Sequence, residues 1–206
     1  FQLAKPVIHI LRAADDARAA MALIPEGRPA VQAENGQHPL SRYLSQEDFK
    51  AYVRVAEADA GSFTILTALK IFVAAGGAQV LQEAVRTQAD DSCTDSLLRL
   101  VKEYGPDVTG QPVFQRALFN AWFEDQAQVA RYNEYSDAAW RALDRAVREI
   151  LGFSPDAPPL TALQLRPIGA LSGGDNYLTL PDMADVGEVC GLKRLAPQAQ
   201  MKPQSP

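Results

Sequence analysis

From Pro112 to Leu151 the apolar residues keep a helical beat. Phe114, Leu118, Trp122, Val129, Tyr132, Trp140, Leu143, Val147 and Ile150 recur near the 3.6-residue period, so they share one face of a helix. No other feature of the chain restricts the fold as much, because a stripe this long must be covered by other apolar surface. Asp125 interrupts the stripe and Ser136 is a polar residue on it. About forty unbroken helical residues would be long for a globular domain, so a bend or a division into two helices is expected at one of these two positions. The pairs Asp137 with Arg141, Asp144 with Arg148 and Arg145 with Glu149 stand four residues apart and mark a solvated outer face, at roughly 0.2–0.5 kcal/mol each.

The segments before this stripe have the same grammar. Pro6 to Ile24 reads as a first helix ended by Pro25 and Gly27, with a short strand over Pro6 to Leu11 as the alternative. The stretch GRPAVQAENGQHP then has loop composition, with Asn35-Gly36 as a turn signal. Ser45 can cap a helix whose first turn holds Glu47 and Asp48, and Gly61 interrupts that pattern. Ser62 can cap the next helix, which Gly76-Gly77 would stop. A short helix over Ala78 to Ala89 follows. Another starts near Asp91 or Ser92, packs Leu97, Leu98, Val101 and Tyr104, and ends at Gly105-Pro106. The expected fold is mainly α, with about six helices in an orthogonal or bundle-like array.

Helical periodicity stops at Gly152. The remainder, 153–206, is rich in proline, which resists regular helices and central strands. Leu160, Leu163, Leu165, Ile168, Leu171, Tyr177, Leu178 and Leu180 nonetheless recur there. The expectation is a helical domain over 1–152 and a Pro-rich extension over 153–206 that wraps it up to about Leu195, the last residues frayed. Within the extension, LSGGDNYLTLPD predicts a glycine turn, an Asx-turn at Asp175-Asn176, and a short β element over Tyr177 to Leu180 ended by Pro181.

Composition excludes several functions. A net charge of -5 with no lysine- or arginine-rich block argues against nucleic acid as a partner. No apolar run approaches the ~20 residues of a membrane-spanning helix. With two histidines, His9 and His38, and no CxxC pair, neither a metal site nor a cofactor is expected. Phosphate-loop, dinucleotide and nucleophile-elbow motifs are absent as well. The two cysteines, Cys93 and Cys190, read either as two reduced thiols in apolar sites or as a disulfide stapling the extension to the helices, worth about 4.7 kcal/mol in the chain-entropy model. The disulfide reading leans toward an exported or extracytoplasmic compartment.

The functional expectation is a non-enzymatic protein-binding or assembly protein that pairs with a protein partner or with itself. Phe119, Trp122 and Phe123 stand at three phases of one helix and cannot all enter a narrow core stripe, so they are the expected contact face. Asn176 is a further binding candidate. The alternative is a small-ligand-binding protein or hydrolase. It would use His38, the histidine placed to titrate in a polar loop, together with Asp175 and Tyr177.

Overall fold

The computed structural model describes residues 44–74, 111–143, 159–171, 173–179 and 186–190, together with 23–24, 27–28, 30–32, 96, 99–100, 102–104 and 192. The described part is mainly helical, as expected, and it packs helix on helix. Its elements run in the order α1 (Gln46–Ala74), α2 (Pro112–Glu124), α3 (Gln126–Ala142), α4 (Ala162–Leu165), a 3-10 turn (Arg166–Gly169), a second 3-10 turn (Tyr177–Thr179) and α5 (Val186–Val189). The expected helix over 78–89, along with His9, His38 and Cys93, lies outside the described residues.

Helix α1 starts where its cap predicts. The Asp48 amide donates to Ser45 Oγ at 3.2 Å, and the Ser45 hydroxyl donates to Asp48 Oδ2 at 2.8 Å. It then runs 29 residues straight through Gly61, so the expected break there does not exist. Glycine costs a helix interior only about 1 kcal/mol relative to alanine. The burial of Val55, Ala58, Ile65, Leu66 and Leu69 on both sides of it outweighs that cost. Ser62 is accordingly no cap: its hydroxyl donates back to the Asp59 carbonyl at 3.0 Å.

The long stripe is divided at Asp125 and not at Ser136. Asp125 leaves the helical conformation, and its side chain accepts from the amides of Ala127 and Gln128, capping α3. Ser136 stays inside α3, buried, with its hydroxyl donating to the Tyr132 carbonyl at 2.7 Å. Helix α3 closes at Ala142, and the described part of the stripe ends with its cap, Leu143.

Helix α1 packs against both α2 and α3. A hydrophobic cluster joins them to the later segments, with Phe114, Leu118, Phe119 and Trp122 meeting Leu160, Leu165, Ile168, Tyr177, Leu178, Val186 and Cys190. Polar ties reinforce the α1–α3 seam. Lys50 pairs with Asp137 at 2.9 Å, Gln46 donates to Asp137 at 2.9 Å, and Arg54 donates to Asn133 at 2.8 Å and to the Cys190 carbonyl at 3.1 Å.

Three further expectations are corrected. The loop expected from residue 27 onward is helical at 27–28 and 30–32. Tyr104, expected to pack, is more than half exposed. The expected β element at Tyr177 is a 3-10 turn. Asn176 coils it, accepting from the Leu178 amide on Oδ1 and from the Thr179 amide and hydroxyl on its carbonyl. Among the described residues the β structure is one antiparallel bridge, Ala170 to Asn176. Gly174, at φ +87, makes the turn between them, in the region where glycine carries no steric penalty.

Candidate functional site

The chemistry-bearing groups brought together most tightly are Asp59, Arg28, Gln32 and Tyr177. Asp59 comes from the middle of α1, Arg28 and Gln32 from the helical residues near the N-terminus, and Tyr177 from the second 3-10 turn. Asp59 Oδ2 accepts from Arg28 Nε at 2.7 Å and Gln32 Nε2 at 2.7 Å. Its Oδ1 accepts from the Tyr177 hydroxyl at 2.6 Å and Arg28 Nη2 at 3.1 Å. The guanidinium also donates to the carbonyls of Ile168 and Ala170, and Gln32 to that of Ile168. Phe63 covers the Arg28 guanidinium at 4.7 Å from its ring centre.

All four residues are buried. Burial raises the Asp59 carboxyl above its ordinary range, and the Arg28 and Tyr177 donors offset that only in part. Burial beside Asp59 likewise raises the Tyr177 hydroxyl well above its ordinary value. The same two causes, burial and the Asp59 charge, push Tyr52 up to about 12. Each Asp59 oxygen accepts two hydrogen bonds, Oδ2 from Arg28 and Gln32 and Oδ1 from Tyr177 and Arg28, so the carboxyl is held in place from both sides. Such a cluster specifies how segments dock. All four hydrogen bonds that Asp59 is seen to accept come from within the chain.

A second polar pair extends the line along α1, where Gln115 of α2 donates to Ser62 at 2.7 Å. Among the described residues no group of three His, Cys, Asp or Glu side chains could hold a metal ion.

The candidates named from sequence fall apart in space. Phe119 and Trp122 are buried, and Phe123 is half-buried, so the first two cannot form an exposed contact face. The reason is that α2 is covered on two sides. Phe119 meets Tyr177 of the C-terminal segment at 5.6 Å, while Trp122 lies against Gly61 of α1 and meets Tyr132 of α3 at 5.5 Å. Asp175 is exposed on the turn, and Tyr177 points into the core at Asp59. The Asn176 side-chain Nδ2 donates to the Arg166 carbonyl at 2.7 Å and serves the turn. Asp175 and Tyr177 therefore do not converge on one site. Cys190 is a buried thiol with no disulfide, packed as a small apolar group, which corrects the expected staple to Cys93 as far as the described residues reach.

Sequence reasoning missed Arg28, Gln32 and Asp59. Arg28 and Gln32 stood in a presumed loop. Asp59 stood on a helix as one of several acids, and the only signal separating it was that its neighbours Val55, Ala58 and Ser62 share the inner face. Comparison with protein-family models, with curated proteins and with solved structures finds no match to this chain.

Proposed function

We propose that the protein works by binding protein, as an interaction or assembly subunit, and that the outer face of α3 is its contact surface. The observation that carries this reading is Tyr135, 62% exposed on a helix whose other side is locked into the core. It ends a row of aromatic contacts that runs from buried Phe119 through Phe123, Trp122 and Tyr132 to the surface. A rigid, exposed tyrosine supplies large contact area at small entropic cost, and tyrosine is enriched where interfaces concentrate their energy. Ser136 and the ties of Lys50, Gln46 and Arg54 to α3 hold the helix beneath it.

The native mass of the chain, purified gently from its source, tests this. A whole-number multiple of the single chain's own mass, or the chain with a second protein, is expected. Tyr135→Ala should weaken that association about tenfold while leaving the melting temperature nearly unchanged. A monomer carrying only a small non-covalent adduct would contradict the reading and favour a ligand-binding function.

A further inference from the structure

The chain has two tryptophans, and they sit in different surroundings. Trp140 sets its ring 5.7 Å, centre to centre, from Phe49 of α1. Trp122 is 2% exposed, and its ring stands 5.5 Å from that of Tyr132. Tyr132 is half-buried and stands 6.4 Å from Tyr135, which is open to solvent. The two tyrosines are three residues apart on α3, so the helix itself fixes their separation. Three easily oxidised rings therefore lead in two short steps from the core to the surface. On its other side Trp122 meets Phe123 at 4.9 Å, and Phe123 meets Phe119 at 5.3 Å. Phenyl rings hold their electrons too tightly to be oxidised under the same conditions. An inward route along these contacts to Tyr177 would have to cross both of them.

We propose that Trp122, Tyr132 and Tyr135 form a route by which a one-electron oxidation of the core is discharged at the surface. The route is independent of the protein-binding reading and uses Tyr135 only as an exposed ring. Suppose Trp122 loses an electron to an acceptor in solution. The indole radical cation takes one electron from Tyr132, whose phenol proton is released. Tyr132 is restored by one electron and one proton as Tyr135 gives up one of each. The net change is one electron passed to the acceptor and one phenol proton passed to water, with the radical left on Tyr135. A dissolved enediol such as ascorbate then gives the exposed phenoxyl a hydrogen atom, and all three rings are recovered. The direction follows from the proton. At neutral pH a tyrosine that can release its proton is oxidised more readily than a tryptophan. Water reaches Tyr135 directly, while Trp122 is shut away from it.

Flash photolysis of the full chain tests the route, with Trp140→Phe as the parent so that Trp122 is the one tryptophan. A flash at the long-wavelength edge of indole absorption, with a cobalt(III) ammine as the electron acceptor, makes the Trp122 radical. In the parent its absorption should decay as tyrosyl absorption rises, at a rate independent of protein concentration. Tyr132→Phe should lose most of this conversion, because the middle ring can no longer be oxidised. Tyr135→Phe should keep it but hold the radical on half-buried Tyr132, where ascorbate quenches it more slowly. Each change keeps an aromatic ring in place, so far-UV circular dichroism should match the parent. If Trp140→Phe itself unfolds the chain, wild type against Tyr132→Phe reads the same loss. A Trp122 radical that does not convert, conversion unchanged in Tyr132→Phe, or a radical quenched equally fast in Tyr135→Phe would each overturn the route.

Discussion

Asp59 joins three segments of chain through contacts made 31, 27 and 118 residues away, by Arg28, Gln32 and Tyr177. Removing one member of a buried, hydrogen-bonded charge pair costs far more than the pair contributes, because the other charge is left without a partner. Asp59→Ala should therefore destabilise the fold by about 3–5 kcal/mol in urea unfolding. Tyr177→Phe removes one hydrogen bond to a charged group and should cost about 1.5–3 kcal/mol. The two sites touch, so the doubly substituted chain should lose less than the sum. The carboxyl also sets a pH dependence. Its folded pKa lies above the ordinary value of 3.8, so the folded chain holds this proton more tightly than the unfolded one. Between those two values the group's contribution to stability falls as pH rises, and below both it is fully present. Wild type compared with Asp59→Asn should accordingly gain relative stability on acidification through that window. A relative loss on acidification would mean that the Arg28 and Tyr177 donors, and not burial, set this pKa.

At the scale of elements, two glycines separate what packing tolerates from what it requires. A Cβ at Gly61 would meet Trp122 Cδ1 at 3.6 Å and Nε1 at 3.9 Å, ordinary contact distances. Gly61→Ala should raise stability by roughly 0.5–1 kcal/mol, the cost of glycine in a helix interior. A Cβ at Gly169 would stand 2.5 Å from Leu178 Cγ and 2.8 Å from Asn176 Oδ1. Gly169→Ala should lower stability by about 1–3 kcal/mol, because the second 3-10 turn must move away from the first. Urea midpoints of the two variants should shift in opposite directions, and a shift of the same sign in both would contradict this packing. Elements were legible in sequence where the signal was local. Ser45 and Asp125 act on amides two or three residues away, and a cap can be read from such spacing. Gly61 was misread because the burial of Val55, Ala58, Ile65, Leu66 and Leu69 that keeps α1 continuous comes from packing against α2 and α3, far along the chain. Tyr177 was misread as strand for a related reason: Asn176, beside it, sets the backbone, and Asp59, distant in sequence, takes the side chain.

In the whole molecule the C-terminal segment supplies one wall of the core. Leu165, Ile168, Tyr177 and Leu178 are buried against α1 and α2 in one cluster. The width of that cluster on α2 explains why three aromatic phases, Phe119, Trp122 and Phe123, could turn inward when a single stripe could hold only one or two. Sequence periodicity counts residues on a face, but it does not report how many neighbours a helix has. Nor could it find the Asp59 cluster, whose members belong to three separate patterns. The outer face of α3 was only partly legible: Asp137, assigned to it with Arg141, turns instead to Lys50 and Gln46 of α1, while Tyr135, outside that pattern, is exposed.

Asp59 ties the helices and the C-terminal segment into one unit. Native-state hydrogen exchange on the full chain tests it most directly, by comparing the amides of Leu171, Leu178 and Cys190, all hydrogen-bonded within the C-terminal segment, with those of the inner turns of α1 and α2. Opening free energies should agree within about 1 kcal/mol and fall together in Asp59→Ala. A C-terminal segment that opens several kcal/mol more easily than the helices, with no further change in Asp59→Ala, would contradict it.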